Sequence, residues 1–470
     1  GNVGCFAVAS MGNAVATAAG RASVGKGVAA ARGGIALGAS IAASLAASFA
    51  GEGGGLAAAS AEEAPGGACV ECKRAAARVY CGGEHTLLRD PETLEVYQLG
   101  ACGLGFDHGD TAATAQPENY ARRVPLPGPA SGVFAGYYHN LFRLNGGRCF
   151  AYGCGRQDPN DGQLCNGALV EVTEPVPTHL QFADAAVGGH HSVCRTRRGE
   201  VWACGAGWQG QMGDGGLRYK NPEPARVPGL PVPVQTVASG YYHNAALTED
   251  GRCFLWGCNE QAQLGSVAFG EQVTSPQELR ELVPDVPAGR ILAFDGGYGH
   301  SVLMLESGRI FTMGNHGEGQ RGLDPNIETP PVANEVQALP GPAQAVAAGS
   351  HHTLVVIGGR VFAFGSDEYG QVSGMGPAAL GAEEDEQRRW QPKVVEGLPT
   401  PDVDAVVRVS AGICHSAAQT ASGRIFVWGC GGNGQTGDGA LPESSPVQEL
   451  HMAEIAQRCQ GVTPPSGATV

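Results

Sequence analysis

Ala411-Gly412-Ile413-Cys414-His415-Ser416, then Gly423-Arg424-Ile425-Phe426-Val427-Trp428-Gly429, then Gly434-Gln435-Thr436-Gly437, is a unit that this chain writes seven times. Its first element, Gly-x-x-His, begins at Gly82, Gly136, Gly188, Gly240, Gly297, Gly349 and Gly412. The histidines are His85, His139, His191, His243, His300, His352 and His415, spaced by 54, 52, 52, 57, 52 and 63 residues. A period of that size is one supersecondary unit repeated, and it moves the expectation from catalysis towards binding.

Each copy reads as a small-residue corner, a short strand, a glycine turn and a second strand of apolar and aromatic residues ending at glycine. The fourth copy has Gly240-Tyr241-Tyr242-His243, Gly251-Arg252-Cys253-Phe254-Leu255-Trp256-Gly257 and Gln263-Leu264-Gly265. The third has Val201-Trp202-Ala203-Cys204-Gly205 and Gly210-Gln211-Met212-Gly213, and the sixth has Val361-Phe362-Ala363-Phe364-Gly365 and Gly370-Gln371. Between units lie proline-led segments followed by a spaced pair of valines, as in Pro224 to Val227 with Val234 and Val237, and Pro392 to Val395 with Val406 and Val409. Each period therefore holds about four strand-sized runs, the strand count of a propeller blade. Runs unbroken by polar alternation suit strands covered on both faces by neighbouring blades.

The 470 residues would ordinarily suggest about three domains. The repeats are continuous, so we expect one large domain over 78–450, preceded by an extension over 1–66 and a linker over 67–77, and followed by a tail over 451–470. The 74 glycines and 30 prolines that punctuate the chain suit many short strands joined by turns. A formal charge of −15 argues against a phosphate-binding groove and makes a nucleic-acid partner unlikely on composition. The 15 cysteines are scattered, with Cys149 and Cys253, and Cys154 and Cys258, at equivalent repeat positions. We read them as small buried hydrophobes in a reducing compartment.

Seven recurrent histidines invite a metal or catalytic reading. They lie one repeat apart, however, and cannot converge on one ion, so each is expected to make a local hydrogen bond that fixes its corner. No cofactor and no catalytic residue is expected.

Gly-x-x-His-[Ser/Thr/Asn], Gly-Arg-[Ile/Val/Cys]-[Phe/Trp]-x-x-Gly and Gly-Gln-x-Gly together resemble the repeat of the regulator of chromosome condensation family. The resemblance covers about four-fifths of the chain. It implies an all-β, seven-bladed β-propeller. The first copy departs from the pattern, with Asp90-Pro91-Glu92-Thr93 at the turn and Gly103-Leu104-Gly105 in place of Gly-Gln-x-Gly. The fifth (Gln320-Arg321-Gly322) and sixth (Gln371-Val372-Ser373) also depart. Ser445-Pro446-Val447-Gln448-Glu449-Leu450 reads like the start of another period, so we expect it to pair with the blade begun at Arg78-Val79-Tyr80 and close the ring.

Residues 1–51 contain no Asp or Glu, only Arg21, Lys26 and Arg32 as charges, and much Ala, Gly and Ser. Within 33–51, small residues recur at Gly34, Gly38, Ala42, Ala46 and Ala50 beside Ile41, Leu45 and Phe49. Small residues four apart permit close helix contact. The readings are a helix laid on a partner, a membrane-contacting segment, and an unstructured leader. Acid-free composition bearing Arg and Ser resembles a mitochondrial or plastid leader, the mitochondrial reading being preferred. Gly1 and Cys5 alternatively suit acylation of a cytoplasmic, membrane-tethered protein.

Three motifs invite over-reading. Gly20 to Lys26 has phosphate-loop spacing, but Gly27 stands where Ser or Thr would hold Mg²⁺. Cys69 and Cys72 have ligand spacing without a second pair nearby. Glu383, Glu384, Asp385 and Glu386, followed by Trp390, form either a solvated loop or a partner-contacting one. We expect a non-enzymatic scaffold in a larger assembly. The resemblance also implies guanine-nucleotide exchange on a small GTPase; no stretch here matches that family's exchange wedge, and no exchange residue is carried over.

Overall fold

The computed structural model describes residues 78–100, 121–153, 161–170, 172–265, 270–283, 286–324, 332–375, 390–437 and 442–459. The chain divides into a unit over 1–50 and a unit over 51–470, and the described residues all belong to the second. Gly1, Cys5, the 33–51 segment, the phosphate-loop-like stretch, Cys69, Cys72, Cys154 and Glu383 to Glu386 lie outside them.

Among the described residues, 28 strands form seven four-stranded antiparallel sheets, each in sequence order. Blade 4 shows the plan with Val234–Ser239, His243–Thr248, Cys253–Cys258 and Gln272–Glu278. The first strands of neighbouring blades pack on one another all the way round, blade 7 on blade 1 included, so they are innermost. Second and third strands are buried along their length, as in His243–Thr248 and Cys253–Cys258, while fourth strands are half-exposed. The unbroken apolar runs belong to the strands sandwiched between blades. This is the seven-bladed β-propeller expected from the sequence.

The Gly-Arg-x-Phe pattern staples third strands to fourth strands. In blade 4 the Arg252 guanidinium lies over the Phe254 ring at 5.4 Å and 3.6 Å from Glu278, which faces Phe254 across the ladder. Arg309, Phe311 and Glu335 repeat this in blade 5, and Arg424, Phe426 and Glu449 in blade 7. Where the first copy lacks its turn glycine, Asp90 Oδ1 accepts from Glu92 N, Thr93 N and the Thr93 hydroxyl, and side-chain capping replaces backbone freedom.

Ring closure differs from expectation. Ser445–Leu450 pairs with Ile425–Gly429 and completes blade 7, while Arg78–Cys81 to Ala121–Arg123 complete blade 1, so no strand is exchanged. The proline-led run ends a period; it does not start one. The seam is sealed by side chains of both blades, Leu88, Tyr97, Leu99 and Ala121 with Ala417, Ile425 and Val427. A helix over Met452–Cys459, in the stretch read as a tail, caps them. Its Met452, Ile455, Ala456 and Cys459 make one apolar stripe at helical spacing, with Ile455 buried in the seam cluster. Arg458 donates to the Gly437 carbonyl at 2.8 Å.

Cysteines 81, 149, 194, 253 and 258 are buried in the sheets and their margins. Cys165 and Cys204 depart from the small-hydrophobe reading: they are disulfide-bonded and tie the blade 2 loop to the third strand of blade 3.

Candidate functional site

In a four-stranded antiparallel blade, the loop between strands one and two emerges at the same end as the loop between strands three and four. The Gly-x-x-His corners therefore share one face with the Gly-Gln-x-Gly loops. The glycine and histidine of each corner are committed to structure, and the two residues between them are free to vary.

Each corner closes with the glycine N–H donating to the histidine carbonyl, as in Gly240 to His243 at 2.8 Å and Gly412 to His415 at 2.9 Å. The imidazole folds over its own glycine, leaving no room for a side chain. A Cβ on Gly412 would stand 2.2 Å from the His415 ring and 2.4 Å from the Gly82 carbonyl. Opposite every histidine in the ladder stands a glycine at, or one residue before, the end of the third strand, as Gly257 opposite His243. Gly257 has φ +109, and a Cβ there would meet the Tyr242 carbonyl at 2.5 Å.

The histidine bonds are not local. Each Nε2 reaches the residue just after the histidine of the next blade: His85 to Asn140 at 2.8 Å, His139 to Ser192 at 2.7 Å, His191 to Asn244 at 2.7 Å and His243 to Ser301 at 2.7 Å. His300 reaches Thr353 at 3.0 Å, His352 reaches Ser416 at 2.9 Å, and His415 returns to Thr86 at 3.1 Å. The partner's own hydrogen goes elsewhere. Thr86, Ser192, Ser301, Thr353 and Ser416 donate to the carbonyls of Gln435, Gln163, Gln263, Gln320 and Gln371. The hydroxyl oxygen must therefore accept, so Nε2 carries the imidazole hydrogen. Each Nδ1 is buried and makes no hydrogen bond among the described residues. Burial holds the imidazoles neutral, lowering His85 and His191 to about 4 and His243, His352 and His415 to about 3, with His139 and His300 also well below the usual value. These seven residues are a latch between blades.

The departures in copies five and six are rebuilt locally. Arg321 is buried, its guanidinium donating to the carbonyls of Gly314 and Val332 and to Asn334, and burial lowers it to about 10. In copy six Asp367 Oδ1 accepts from Val372 N and Ser373 N and holds the turn. Trp390 is half-buried.

The variable corner residues carry the surface that the sequence reading passed over. Tyr137 and Tyr138 of blade 2, His190 of blade 3, Tyr241 and Tyr242 of blade 4, Tyr298 of blade 5 and His351 of blade 6 touch in sequence round the ring. Tyr241 is the pivot, buried, with its hydroxyl 3.1 Å from that of Tyr138 and 3.2 Å from His190 Nε2. His190 Nδ1 lies 3.4 Å from the buried Asp161 carboxylate, which Lys220 approaches at 3.5 Å. Trp208 extends the surface outward, near Tyr242 and stacked on Tyr219 at 5.0 Å. Tyr298 and Tyr219 are exposed. Burial first, and for Tyr241 then its neighbour Tyr138, pushes the Tyr241 and Tyr242 phenols up, so they stay protonated. The described loops of this face are acidic, with Glu84, Asp161, Asp214, Glu260, Glu318, Glu368 and Glu443 against Arg218, Lys220 and the buried Arg321. No group of three or more potential metal ligands occurs among the described residues. The signal was present in Gly240-Tyr241-Tyr242-His243: positions that vary inside a fixed frame are where a repeat protein places its contacts.

Residues 50–378 match the family described as RCC1-like domain, and residues 406–435 match the regulator of chromosome condensation (RCC1) repeat. The human regulator of chromosome condensation is 29% identical over 378 residues, covering 74% of this chain and 84% of that protein. A human probable E3 ubiquitin-protein ligase, HERC6, is 29% identical over 271 residues, covering 57% of this chain, which spans only 25% of that protein. Among solved structures, human WBSCR16 aligns with a TM-score of 0.59 at 22% identity, covering 71% of this chain and 84% of that one. Prp20p of Saccharomyces cerevisiae aligns at 0.59 and 21%, covering 81% and 84%. Both likenesses concern the fold.

Proposed function

Because the chain belongs to the RCC1-like domain family, we propose that it is a non-enzymatic interaction propeller that binds a partner protein through the aromatic loop face. The observation that carries this reading is the run of Tyr137, Tyr138, His190, Tyr241, Tyr242 and Tyr298 on the corners, extended by Trp208. Tyrosine and tryptophan dominate the energetics of protein interfaces because they bury large rigid area and keep a polar handle. Aromatic faces set among carboxylates favour cationic side chains, so the partner surface presents Arg or Lys to this face. The extension over 1–66 serves as a tether, in a mitochondrion or at a membrane.

A size-resolved native pull-down tests both parts. Full-length protein should co-migrate with a defined assembly. Tyr298→Ala with Trp208→Ala should lose the partner while the thermal unfolding midpoint stays within a few degrees. Loss of the assembly on deleting 1–66 supports the tether. Retention of the partner by the double variant would remove the aromatic face from the reading.

A second reading is regulation of a small GTPase. It is favoured by the human relative above and by a Caenorhabditis elegans protein named as an X-linked retinitis pigmentosa GTPase regulator homolog, 28% identical over 345 residues. The structural report on Prp20p names binding to Gsp1p and histones. Recovery of a nucleotide-free GTPase that GTP releases would select this reading.

A further inference from the structure

Four other blades place unlike residues at one facing pair on the loop face, just before the corner histidine and just after the third-strand glycine. They are His190 with Ala206, Tyr242 with Cys258, Gly299 with Asn315, and His351 with Ser366. Among these described pairs, blade 7 alone has two cysteines, Cys414 and Cys430. His415 faces Gly429 in the ladder, so Cys414 and Cys430 face each other one step further on. Cys430 N donates to the Cys414 carbonyl at 2.8 Å. Facing residues of an antiparallel pair have Cα atoms about 4.5–5.5 Å apart, inside the span of about 4.4–6.8 Å that a disulfide accepts. Both cysteines are partly exposed, and neither is in a disulfide. The five other free cysteines of the sheets are buried; Cys459, on the seam helix, is also partly exposed.

From this juxtaposition we infer that Cys414 and Cys430 are a reversible dithiol–disulfide site on the loop face, oxidised by hydrogen peroxide. Cys430 is the attacking sulfur. The Cys414 thiol donates a hydrogen bond to it, holding Cys430 down at about 7 and pushing Cys414 up. The Gly432 amide and Gln435 side chain assist, while burial and the Glu84 carboxylate oppose ionisation, and Glu368 faces Cys414. Of the two sulfurs, Cys430 is therefore the one that ionises first.

The steps balance. The Cys430 thiolate attacks one peroxide oxygen, the O–O bond breaks, and Cys430 becomes a sulfenic acid with release of hydroxide. The Cys414 sulfur then attacks the Cys430 sulfur, the S–O bond breaks, and the Cys414 proton leaves with the hydroxyl as water. Two sulfurs lose one electron each, and the peroxide gains two. The product cross-links strands two and three of blade 7 beside Glu84 and Glu368, on the face that carries the aromatic corners.

Peptide mapping of the full chain tests this. Trypsin cuts after Arg408, Arg424 and Arg458, so Cys414 leaves in peptide 409–424 and Cys430 in peptide 425–458. After mild peroxide treatment and alkylation, the two peptides should appear joined, and a thiol reductant should part them again. Recovery of separate peptides, with Cys430 overoxidised and Cys414 alkylated, would overturn the inference. A second readout needs no oxidation. Cys414→Ala should slow iodoacetamide labelling of Cys430 at pH 7 by several-fold to about tenfold, since the donor hydrogen bond that favours the thiolate is removed. An unchanged labelling rate in a folded Cys414→Ala protein would count equally against it.

Discussion

His415, in the last blade, holds Thr86, in the first, through a buried hydrogen bond of 3.1 Å between Nε2 and the threonine hydroxyl. It is the seventh bond of a ring whose other six join consecutive blades, and the only one that spans the chain's two ends, 329 residues apart. The same hydroxyl donates to Gln435 O at 2.8 Å, so one side chain serves two elements of blade 7. Thr86→Val keeps the shape and strands both partners, and should cost about 2–4 kcal/mol. Chemical denaturation reads the total. Amide exchange should locate the loosening at blades 1 and 7. Uniform loosening over all blades would mean that the seam is no weaker than any other joint.

The ring predicts a pH dependence. Each ring imidazole has a folded-state pKa below its unfolded value of about 6.5. Unfolding therefore takes up protons between about pH 6.5 and the folded values. The stabilisation is fully present above about pH 6.5 and is lost as pH falls through this window. The slope is about 1.4 kcal/mol per pH unit for each histidine. Asp295, pushed up to about 6 by burial, and Asp184, also raised by burial, act in the opposite sense, but they are two groups against seven. Ordinary carboxylates titrate lower, so the histidines dominate denaturant unfolding between pH 6.5 and 5. Stability that is flat across that interval would contradict a neutral ring.

The corner glycines should tolerate nothing larger. Gly412→Ala drives a Cβ against both the His415 ring and the Gly82 carbonyl, and should cost about 3 kcal/mol. Gly432→Ala on the same face meets nothing within 4 Å and should stay within about 0.5 kcal/mol of the parent. Thermal melts of the pair separate steric exclusion from general glycine effects. Equal losses would refute the steric account.

These relationships mark how far the sequence could be read. The blade is encoded locally: strand lengths, turn glycines and the paired runs of Cys253–Cys258 against His243–Thr248 are continuous in the chain. The latch is not. Its donor and acceptor sit one blade apart, and the Ser, Thr or Asn after each histidine shows its role only when a neighbour supplies the imidazole. The phase of the repeat was equally hidden, because a periodic pattern has no intrinsic start, and Ser445–Leu450 could open a blade or end one. The aromatic face escaped attention because its members, Tyr138, His190, Tyr241 and Tyr298, lie in four different copies and meet only when the ring closes.

Closure by packing, without strand exchange, makes the Met452–Cys459 helix a structural element of the propeller. Ile455 is 2% exposed and is the helix residue driven deepest into the seam, against side chains of both end blades. Ile455→Ala should cost about 2–4 kcal/mol by lost burial and the cavity left behind. Glu454→Ala, one residue away and exposed, should cost under about 0.5 kcal/mol. A propeller closed by a shared strand would feel the loss of this helix only weakly, since backbone bonds would still bridge its ends. Among the described residues the bridging bonds are few: Cys81 N to the Ser410 hydroxyl at 2.9 Å, the Cys81 thiol to Ser410 O at 3.6 Å, Ile413 N to Gly83 O at 3.1 Å, and the bonds of the Thr86 hydroxyl with His415 and Gln435 O. Ending the chain at Leu450 should therefore make blades 1 and 7 the first sites of limited proteolysis while the middle blades stay protected. Cleavage at blade 4 first, or an unchanged pattern, would show that side-chain packing between the end blades holds the ring without the helix.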